Sequence, residues 1–308
     1  MGELPSCLGN LTSLHVLDIS SNHLTGDLSP LANLRSLRFL SVSQNLFQVP
    51  LLFSSLSNLT TLEILLSDEN KLGMDPAFYT PIPKSQLKII SLSKCTTDQK
   101  LTKKLTKFLH YQHDLRYVDL SYNNLSGTFP LWLLENNTKL EVLRLMGNSL
   151  MGPFLLPPLP NLDFNTIDIS RNHIQGQIPT EICSILPHLQ RLVLSNNAFE
   201  GDIPPCFGGM SDLEFLDLSR NQLSGGVPKE LTMENSLVIL RLSDNNLTGK
   251  IAPTIFKSSS LQGLYFDGNH IVGEIPEIDV QSTDILSMWI EDIDLSNNSL
   301  FGKVPRWI

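Results

Sequence analysis

Residues 213–223 read Leu213-Glu214-Phe215-Leu216-Asp217-Leu218-Ser219-Arg220-Asn221-Gln222-Leu223. Leu216 and Leu218 are two positions apart, so both side chains point to one face of an extended strand. Phe215 and Asp217 alternate with them and point to the opposite face. Asn221 follows, and its amide can donate to and accept from backbone groups where the chain turns inward. The stretch predicts a short strand that buries leucines on one side and presents other residues to solvent.

The same pattern, L-x-x-L-x-L-x-x-N/C-x-L, recurs about twelve times between Leu14 and Leu300. Its asparagine or cysteine returns every 23 to 29 residues, which is the period of leucine-rich repeats. These positions predict an internal ladder, and they are Asn22, Asn45, Asn70, Cys95, Asn123, Asn148, Asn172, Asn197, Asn221, Asn245, Asn269 and Asn298. Stacked coils can bury an apolar side that one coil cannot. The predicted fold class is an α/β solenoid, a right-handed leucine-rich-repeat superhelix with a parallel concave β-sheet and an irregular or 3-10 convex side.

The repeat also predicts the domain organisation. Length alone would suggest two globular domains for 308 residues, but the period runs through the whole chain and predicts one solenoid domain over residues 1–308. Residues 4–11 match the second half of a coil, and residues 304–308 end before another strand. Because solenoids cover their apolar ends with capping units, we expect a domain truncated mid-repeat at both ends, as in a fragment of a longer protein.

The second half of each coil carries a family signature. Several coils share L-x-G-x-I-P after the asparagine, at 174–179, 199–204 and 271–276. Glycine permits a backbone bend there and proline ends strand pairing. This half resembles the plant-specific class of leucine-rich repeat. With the segments at 181–189, 202–207, 245–251 and 304–308, the chain resembles the middle of a plant leucine-rich-repeat receptor-like protein.

That resemblance implies a function. The chain would be the ligand-recognition part of a receptor in immune or developmental signalling, at the extracellular face of the plasma membrane, and would bind a peptide, protein or glycan. A receptor-kinase co-receptor and membrane attachment are implied by the family only, since the sequence has no signal peptide and no run of about 20 apolar residues. Two alternatives stay open: the ectodomain of a leucine-rich-repeat receptor kinase, and a secreted inhibitor of cell-wall-degrading enzymes.

Other function classes find little support in the sequence. A net charge of −9 argues against nucleic acid as a partner. Motifs of nucleophilic hydrolases and of phosphate-binding loops are absent, and the histidines do not assemble at metal-ligand spacing. The aspartates of the strands recur at one repeat position, whereas an acid and a base need two different environments. We therefore expect no enzyme activity, no cofactor and no metal site.

Candidate ligand-binding residues lie between the two inward leucines of the strands. That position is usually Asp or Ser, so other residues at this position are candidates for ligand contact. Arg and Tyr are of particular interest because they are enriched among binding hot spots. Phe215 adds a neighbouring outward aromatic residue. Six consecutive coils form a predicted lane on the concave face, namely Arg144, Asp168, Val193, Asp217, Arg241 and Tyr265. The competing interpretation is neutral variation on a solvated surface.

Two kinds of covalent modification are suggested. Six sequons could place glycans on exposed loops, at Asn10, Asn58, Asn124, Asn136, Asn246 and Asn297, although the repeat's own N-N-L-S/T wording produces some of them. Cys183 and Cys206 lie in the outer segments of adjacent coils, where a disulfide could form. A disulfide and two free thiols both remain open. Cys7 and Cys95 have no evident partner.

Overall fold

The computed structural model of the chain describes residues 2–50, 58–73, 83–95, 105–232, 236–277 and 290–307. The chain divides into two compact units, Met1–Ser149 and Leu150–Ile308. Both are built from the same coil, in which a three-residue strand is followed by the ladder position and an outer segment.

The predicted repeat strands are present in both units and form what we call the main sheet of each unit. Neighbouring strands pair in parallel with the equivalent residues side by side. The first unit contains β1 (Val16–Asp18), β2 (Phe39–Ser41), β3 (Ile64–Leu66), β4 (Ile89–Ser91), β5 (Tyr117–Asp119) and β6 (Val142–Arg144). The second contains β7 (Thr166–Asp168), β8 (Arg191–Val193), β9 (Phe215–Asp217), β10 (Ile239–Arg241), β11 (Gly263–Tyr265) and β12 (Asp292–Asp294).

The core of each unit lies behind its main sheet. Leu216 and Leu218 are fully buried, as predicted, and so are the middle residues of the other strands from β2 to β11. Phenylalanines such as Phe199 and Phe266 fill the interior between sheet and outer segment. Each such side chain stabilises the fold by about 1.5–3 kcal/mol relative to an exposed one, so the stacked coils supply the burial that a single coil lacks.

The outer segments contain short strands and helices. The additional strand pairs are Gly2–Glu3 with Leu24–Thr25, Gln48–Pro50 with Lys71–Gly73, and Val272–Gly273 with Ser299–Leu300. The first unit also has the strand Ser126–Thr128. A row of parallel strands consists of Ser149–Gly152, His173–Gln177, Ala198–Asp202 and Gln222–Ser224. The 3-10 helices are Ser6–Asn10, Ser29–Leu31, Pro205–Gly209, Lys229–Thr232 and Pro253–Lys257; the α-helices are Leu131–Asn136 and Ile182–Ile185, and residues 105–109 are helical.

The ladder asparagines bond neighbouring coils together. The Asn245 Nδ2 donates to the carbonyls of Leu242 (3.0 Å), Ser243 (3.2 Å) and, in the coil before, Leu218 (3.0 Å). Its Oδ1 accepts from the N–H of Leu223 at 3.0 Å. Bonds to the coil before recur at Asn45, Asn70, Asn123, Asn148, Asn197, Asn221, Asn269 and Asn298. These amides satisfy buried backbone groups that no strand partner reaches.

Cys95 occupies its ladder position as a hydrogen-bonding thiol. It is buried, and its Sγ lies 3.2 Å from the Ser67 carbonyl, to which it donates. Burial raises the pKa of this thiol to about 12, so the proton that makes the bond is kept at neutral pH. The thiol thus replaces part of the amide, in keeping with a packing role.

The residue before each ladder position adopts a left-handed conformation, a feature that the sequence pattern did not reveal. Ten of these twelve residues are not glycine and have φ between 52° and 57°. Gly147 and Gly268 fill the other two positions, at φ 68° and 65°. Such a conformation is unfavourable for residues with a Cβ, and the hydrogen bonds of the adjoining ladder residue offset its cost.

The outer segments of the second unit carry a covalent link. Cys183, in the helix Ile182–Ile185, and Cys206, in Pro205–Gly209, form a disulfide with a Cα–Cα distance of 6.1 Å. The other two cysteines, Cys7 and Cys95, are free, and Cys7 is exposed.

Candidate ligand-binding face

The open face of each main sheet is formed by two rows of outward side chains. We call the first residues of the strands the first row and the third residues the third row; both point away from the core because side chains alternate along a strand. All six lane residues belong to the third row. Arg144 ends β6 of the first unit, and register pairing aligns the other five, Asp168, Val193, Asp217, Arg241 and Tyr265, in β7 to β11 of the second.

Exposure differs along the predicted lane. Arg144 and Arg241 are exposed, and Tyr265 is half-buried. Val193 and Asp217 are only 5% and 8% exposed. These two residues therefore offer a ligand little surface, contrary to the expectation of an evenly exposed lane.

The lane's aspartates are hydrogen-bonded within their own strands. The Asp217 carboxylate accepts from the N–H (3.0 Å) and Oγ (2.6 Å) of Ser219, and Asp168 accepts in the same way from Ser170. The equivalent bonds from serine lower the pKa of Asp294 below its ordinary value. The recurrent aspartate thus stabilises the backbone at the end of each strand. This structural role is sufficient to explain why aspartate recurs at the same repeat position.

Side chains from five strands of the second unit, β8 to β12, form a contiguous cluster on the open face. The Arg191 guanidinium lies 3.7 Å from the centre of the Phe215 ring, and that of Arg241 lies 5.6 Å from the same ring. Arg241 also lies 5.1 Å from the ring centre of Tyr265, whose hydroxyl donates to Asp292 at 2.7 Å. We call these five residues the cationic–aromatic cluster. Its rings hold both guanidinium groups in place through cation–π contacts.

A glycine determines how the cluster packs. A Cβ on Gly263, in the first row of β11, would lie 2.7 Å from Cδ1 of Ile239 and 3.0 Å from the ring of Tyr265. The missing side chain therefore lets the ring lie against the sheet and reach Asp292. The hydrogen bond to Asp292 is the main reason that the pKa of Tyr265 is raised above its ordinary value.

Sequence reasoning found part of this cluster. It singled out Arg241, Tyr265 and Phe215 but missed Arg191 and Asp292. Both missed residues lie in the first row, two positions before the third-row residues. The alternation of side chains was the signal that could have found them, since it places both rows on one face.

The first unit holds Arg144 in a different setting. Its Nη1 donates to the Tyr117 hydroxyl at 3.2 Å and lies 4.0 Å from an Asp119 carboxylate oxygen. Its guanidinium also lies 5.7 Å from the Tyr117 ring centre. Burial is the main reason that the pKa of Tyr117 is raised.

The sequons mostly lie on the surface. Asn10, Asn58, Asn124, Asn246 and Asn297 are exposed, and Asn136 is half-buried at the end of the helix Leu131–Asn136. Glycosylation at these positions stays a prediction.

The described residues were also compared with the requirements of a metal site and of a membrane-spanning helix, and they meet neither. They contain no group of three or more His, Cys, Asp or Glu side chains placed to hold a metal ion. Their helices include none with both the length and the apolar character to cross a bilayer.

Comparison with protein families agrees with this architecture. A family model described as leucine rich repeat matches residues 164–223, and a second, also described as leucine-rich repeat, matches 13–34, 114–136 and 236–258. Together with the parallel main sheets and their ladder, these matches confirm the predicted leucine-rich-repeat fold class.

Curated relatives are plant receptor-like proteins. The chain is 39% identical to Cuscuta receptor 1 of Solanum lycopersicum over 62% of its own length, and 41% identical to Receptor-like protein 1 of Arabidopsis thaliana over 68%. It spans 17% and 19% of those two relatives. These similarities support a plant leucine-rich-repeat receptor-like protein, as the sequence motifs predicted.

Solved structures share the fold over nearly the whole chain. The plant peptide hormone receptor RGFR1 in complex with RGF2 has a TM-score of 0.77 at 26% identity, covering 97% of this chain and 50% of that one. The Arabidopsis receptor kinase HAESA, in complex with the peptide hormone IDA and the co-receptor SERK1, has a TM-score of 0.74 at 27% identity and covers 99% and 53%.

Proposed function

We propose that the chain is the ligand-recognition part of a plant cell-surface receptor-like protein in immune or developmental signalling. The chain spans less than a fifth of its first curated relatives, so the activity, location and partners of the whole protein belong to the proposal. The parent protein would lie in the plasma membrane with these repeats on the extracellular face.

The cationic–aromatic cluster is the observation that carries this proposal. It presents Arg241 and Tyr265 on an open face, held in place by Phe215 and Asp292 through the contacts described above. Arginine and tyrosine combine apolar area with hydrogen-bonding groups and are enriched in binding hot spots. Groups ordered before binding lose less conformational entropy when a ligand arrives.

The proposed ligand is a peptide or protein segment, and a glycan is the competing class. Structures with the same fold and 26–28% identity include receptors bound to peptide hormones, and one of them also holds a co-receptor. By analogy, we propose that a receptor kinase acts as co-receptor for the parent protein. Ligand binding without catalysis is also what these relatives favour.

We prefer a receptor-like protein as the parent to the two alternatives, a leucine-rich-repeat receptor kinase and a secreted inhibitor of cell-wall-degrading enzymes. Curated receptor-like proteins are 39–41% identical to the chain, whereas the structure of the receptor kinase HAESA is 27% identical. The difference favours a parent without a kinase domain, and nothing among the described residues singles out a secreted inhibitor.

Affinity capture tests the proposal. The chain, secreted from plant leaf cells and immobilised, would be incubated separately with the peptide fraction of leaf extracellular fluid and with cell-wall oligosaccharides, and bound molecules identified by mass spectrometry. We expect a defined peptide to be captured by the wild type, and on the order of ten-fold less by an Arg241→Ala/Tyr265→Ala variant.

Arg35→Ala provides the matched control, because Arg35 is exposed away from the main sheet and its loss should leave capture unchanged. Equal capture by all three proteins would contradict a role for the cluster. Capture of an oligosaccharide alone would assign the face to a glycan.

A further inference from the structure

Two consecutive asparagines at the end of the helix Leu131–Asn136 have different environments. Asn137 is fully buried, and its Nδ2 donates to the Leu133 carbonyl at 3.0 Å while its Oδ1 accepts from the Leu115 N–H at 2.9 Å. Asn136 is half-buried, and its side-chain amide forms no hydrogen bond with any described residue. Asn137 is therefore part of the fold, whereas the amide of Asn136, the first residue of a sequon, is available for modification.

Helix geometry places the side chain of Asn136 over that of Trp132. Residues four apart lie on one side of a helix, about 5–6 Å between Cβ atoms, and each Cβ is tilted toward the helix N-terminus. Leu133 and Leu134 form the buried side, while Trp132 is half-buried and Glu135 exposed. A sugar on the amide nitrogen of Asn136 would thus start within reach of the indole ring.

The indole of Trp132 is supported by a second ring. The imidazole of His110 stacks on it, with ring centroids 3.8 Å apart and an interplanar angle of 26°. His110 follows the helical residues 105–109 of the coil before, and its backbone N–H donates to the Thr106 carbonyl at 3.0 Å. The stack fixes the orientation of the indole, and a ring ordered in advance loses less conformational entropy when something binds it.

These side chains have the chemistry that recognises a pyranose ring. The face of an aromatic ring is electron-rich, and one face of N-acetylglucosamine presents C–H groups that are slightly positive. Glu135 lies three positions after Trp132, on the same side of the helix. Its carboxylate oxygens can accept hydrogen bonds from sugar hydroxyls at the edge of such a stack.

We infer that Trp132 and His110 form a sugar platform, occupied by the first N-acetylglucosamine of a glycan on Asn136. The glycan comes from an oligosaccharide linked to a lipid diphosphate: a bond forms between the Asn136 Nδ2 and C1 of the sugar, the bond from C1 to the diphosphate oxygen breaks, and one amide proton is released as the lipid diphosphate leaves. The inference rests on the extracellular location in the proposed function, because such transfer occurs in the secretory pathway.

A double-mutant cycle on the full chain, secreted from plant leaf cells, tests the platform. Mass spectrometry of glycopeptides first measures occupancy at Asn136, which we expect to be modified. Thr138→Ala removes the sequon, and Trp132→Leu removes the indole. We expect Thr138→Ala to lower the melting temperature by about 2 °C when Trp132 is present, and by less than about 0.5 °C in the Trp132→Leu variant, because the two changes then remove the same contact.

Three controls separate this contact from general effects of glycans. Ser126→Ala removes the sequon of Asn124 and should show no coupling with Trp132. Thr138→Ala in protein made without glycans should leave the melting temperature unchanged. Trimming high-mannose glycans to a single N-acetylglucosamine should preserve the stabilisation, since only the first sugar contacts the indole.

A measurement without substitutions is decisive if Trp132→Leu fails to fold. Protons of a sugar stacked on an indole are shielded by its ring current. In nuclear magnetic resonance spectra of the wild type with isotope-labelled glycans, we expect the C–H signals of the first sugar on Asn136 to lie upfield of their positions in unfolded protein. Unshifted signals would overturn the inference.

Two further results would overturn it. Equal effects of Thr138→Ala with and without Trp132 would show that the glycan does not use the indole. An unmodified Asn136 beside glycans at other sequons would refute this inference alone, whereas a secreted chain without any glycan would refute it and also count against the extracellular location. Ligand capture by the open face is independent, because neither Trp132 nor Asn136 belongs to the first or third row.

Discussion

The two units share one internal frame and differ on their open faces. In both, buried middle residues and ladder amides occupy equivalent positions. The first row is apolar throughout the first unit, whereas the second unit places Arg191, Phe215 and Asp292 in it. Because alternate side chains point to opposite faces of a strand, outward residues can change without disturbing the core. The buried middle residues and the ladder amides therefore define the fold, and the outward residues of the first and third rows make the surfaces of the two units different.

Removal of the ladder amide of Asn245, which follows the strand that contains Arg241, should destabilise the second unit. Asn245→Ala would take the side-chain acceptor from the Leu223 N–H, whereas the Leu218 and Leu242 carbonyls would each lose one donor and keep another, the amides of Asn221 and Asn269. A buried unsatisfied donor costs roughly 1–3 kcal/mol and each lost hydrogen bond about 0.5–1.5 kcal/mol, so we expect the free energy of unfolding to fall by about 2–4 kcal/mol in urea denaturation.

The neighbouring asparagine is the control for that substitution. Asn246 is exposed, so Asn246→Ala in protein made without glycans should change the free energy of unfolding by less than about 0.5 kcal/mol. Equal losses for the two variants would show that the ladder amide has no special structural role.

The disulfide distinguishes the stability of the second unit from that of the first. Cys183 and Cys206 are 23 residues apart in sequence, and a cross-link closing a loop of that length stabilises a protein by about 3 kcal/mol. Reduction should therefore lower the melting temperature of the transition that involves the second unit, measured by calorimetry. Cys183→Ser/Cys206→Ser should melt at the lower temperature with or without reductant; a response of this variant to reductant would point to another thiol.

Adding a side chain at Gly263 disturbs the cationic–aromatic cluster of the second unit and changes no residue of the first unit. Gly263→Ala forces its Cβ against Ile239 and the Tyr265 ring, and overpacking of this kind costs about 1–2 kcal/mol. Gly226→Ala is the matched control, because the nearest atom to its Cβ is 3.9 Å away. Chemical denaturation compares the two, and a Gly263→Ala variant no less stable than Gly226→Ala would contradict the packing argument.

The smallest expected effect concerns two tyrosines whose pKa is raised for different reasons. Burial is the first cause for Tyr117, and the hydrogen bond to Asp292 is the first cause for Tyr265. A raised pKa keeps the phenol protonated, so the bond to Asp292 is present below the ordinary pKa of tyrosine, about 10, and is lost as pH rises through the folded-state pKa.

Asp292→Asn should therefore lower the pKa of Tyr265 and leave that of Tyr117 unchanged. Ultraviolet titration of the phenolate checks this, with Tyr265→Phe and Tyr117→Phe assigning the two transitions. A shift of Tyr117 in the Asp292→Asn variant would mean that the two sites are coupled.

The fold was largely predictable because its signals are local and repeated. The spacing of Leu216, Leu218 and Asn221 predicted a strand, its buried face and the ladder, and the structure shows all three. The left-handed residue before each ladder position was not predicted, since residues as different as Tyr122, Arg171 and Asp244 occupy it. Gly, Asn and Asp, which tolerate this conformation best, fill only five of the twelve positions, so the compositional signal is weak and the backbone geometry follows from the hydrogen bonds of the ladder.

The candidate site was predictable only in part. Arg241 and Tyr265 stood out because they depart from the repeat, yet Val193 did so too and is buried. A departure from a pattern reports a difference in sequence and carries no information on exposure. Exposure depends on the length of neighbouring side chains in adjacent strands, which the repeat does not encode.

The sequence by itself determined the repeat, the inward and outward sides of each strand, and the positions of the ladder, because these follow from spacings within one coil. Only the tertiary structure decided which outward residues meet: Arg191 over Phe215, Tyr265 against Asp292, and a row of apolar side chains in the first unit. These contacts join residues 23 to 28 positions apart, and their geometry depends on how each coil packs against the next.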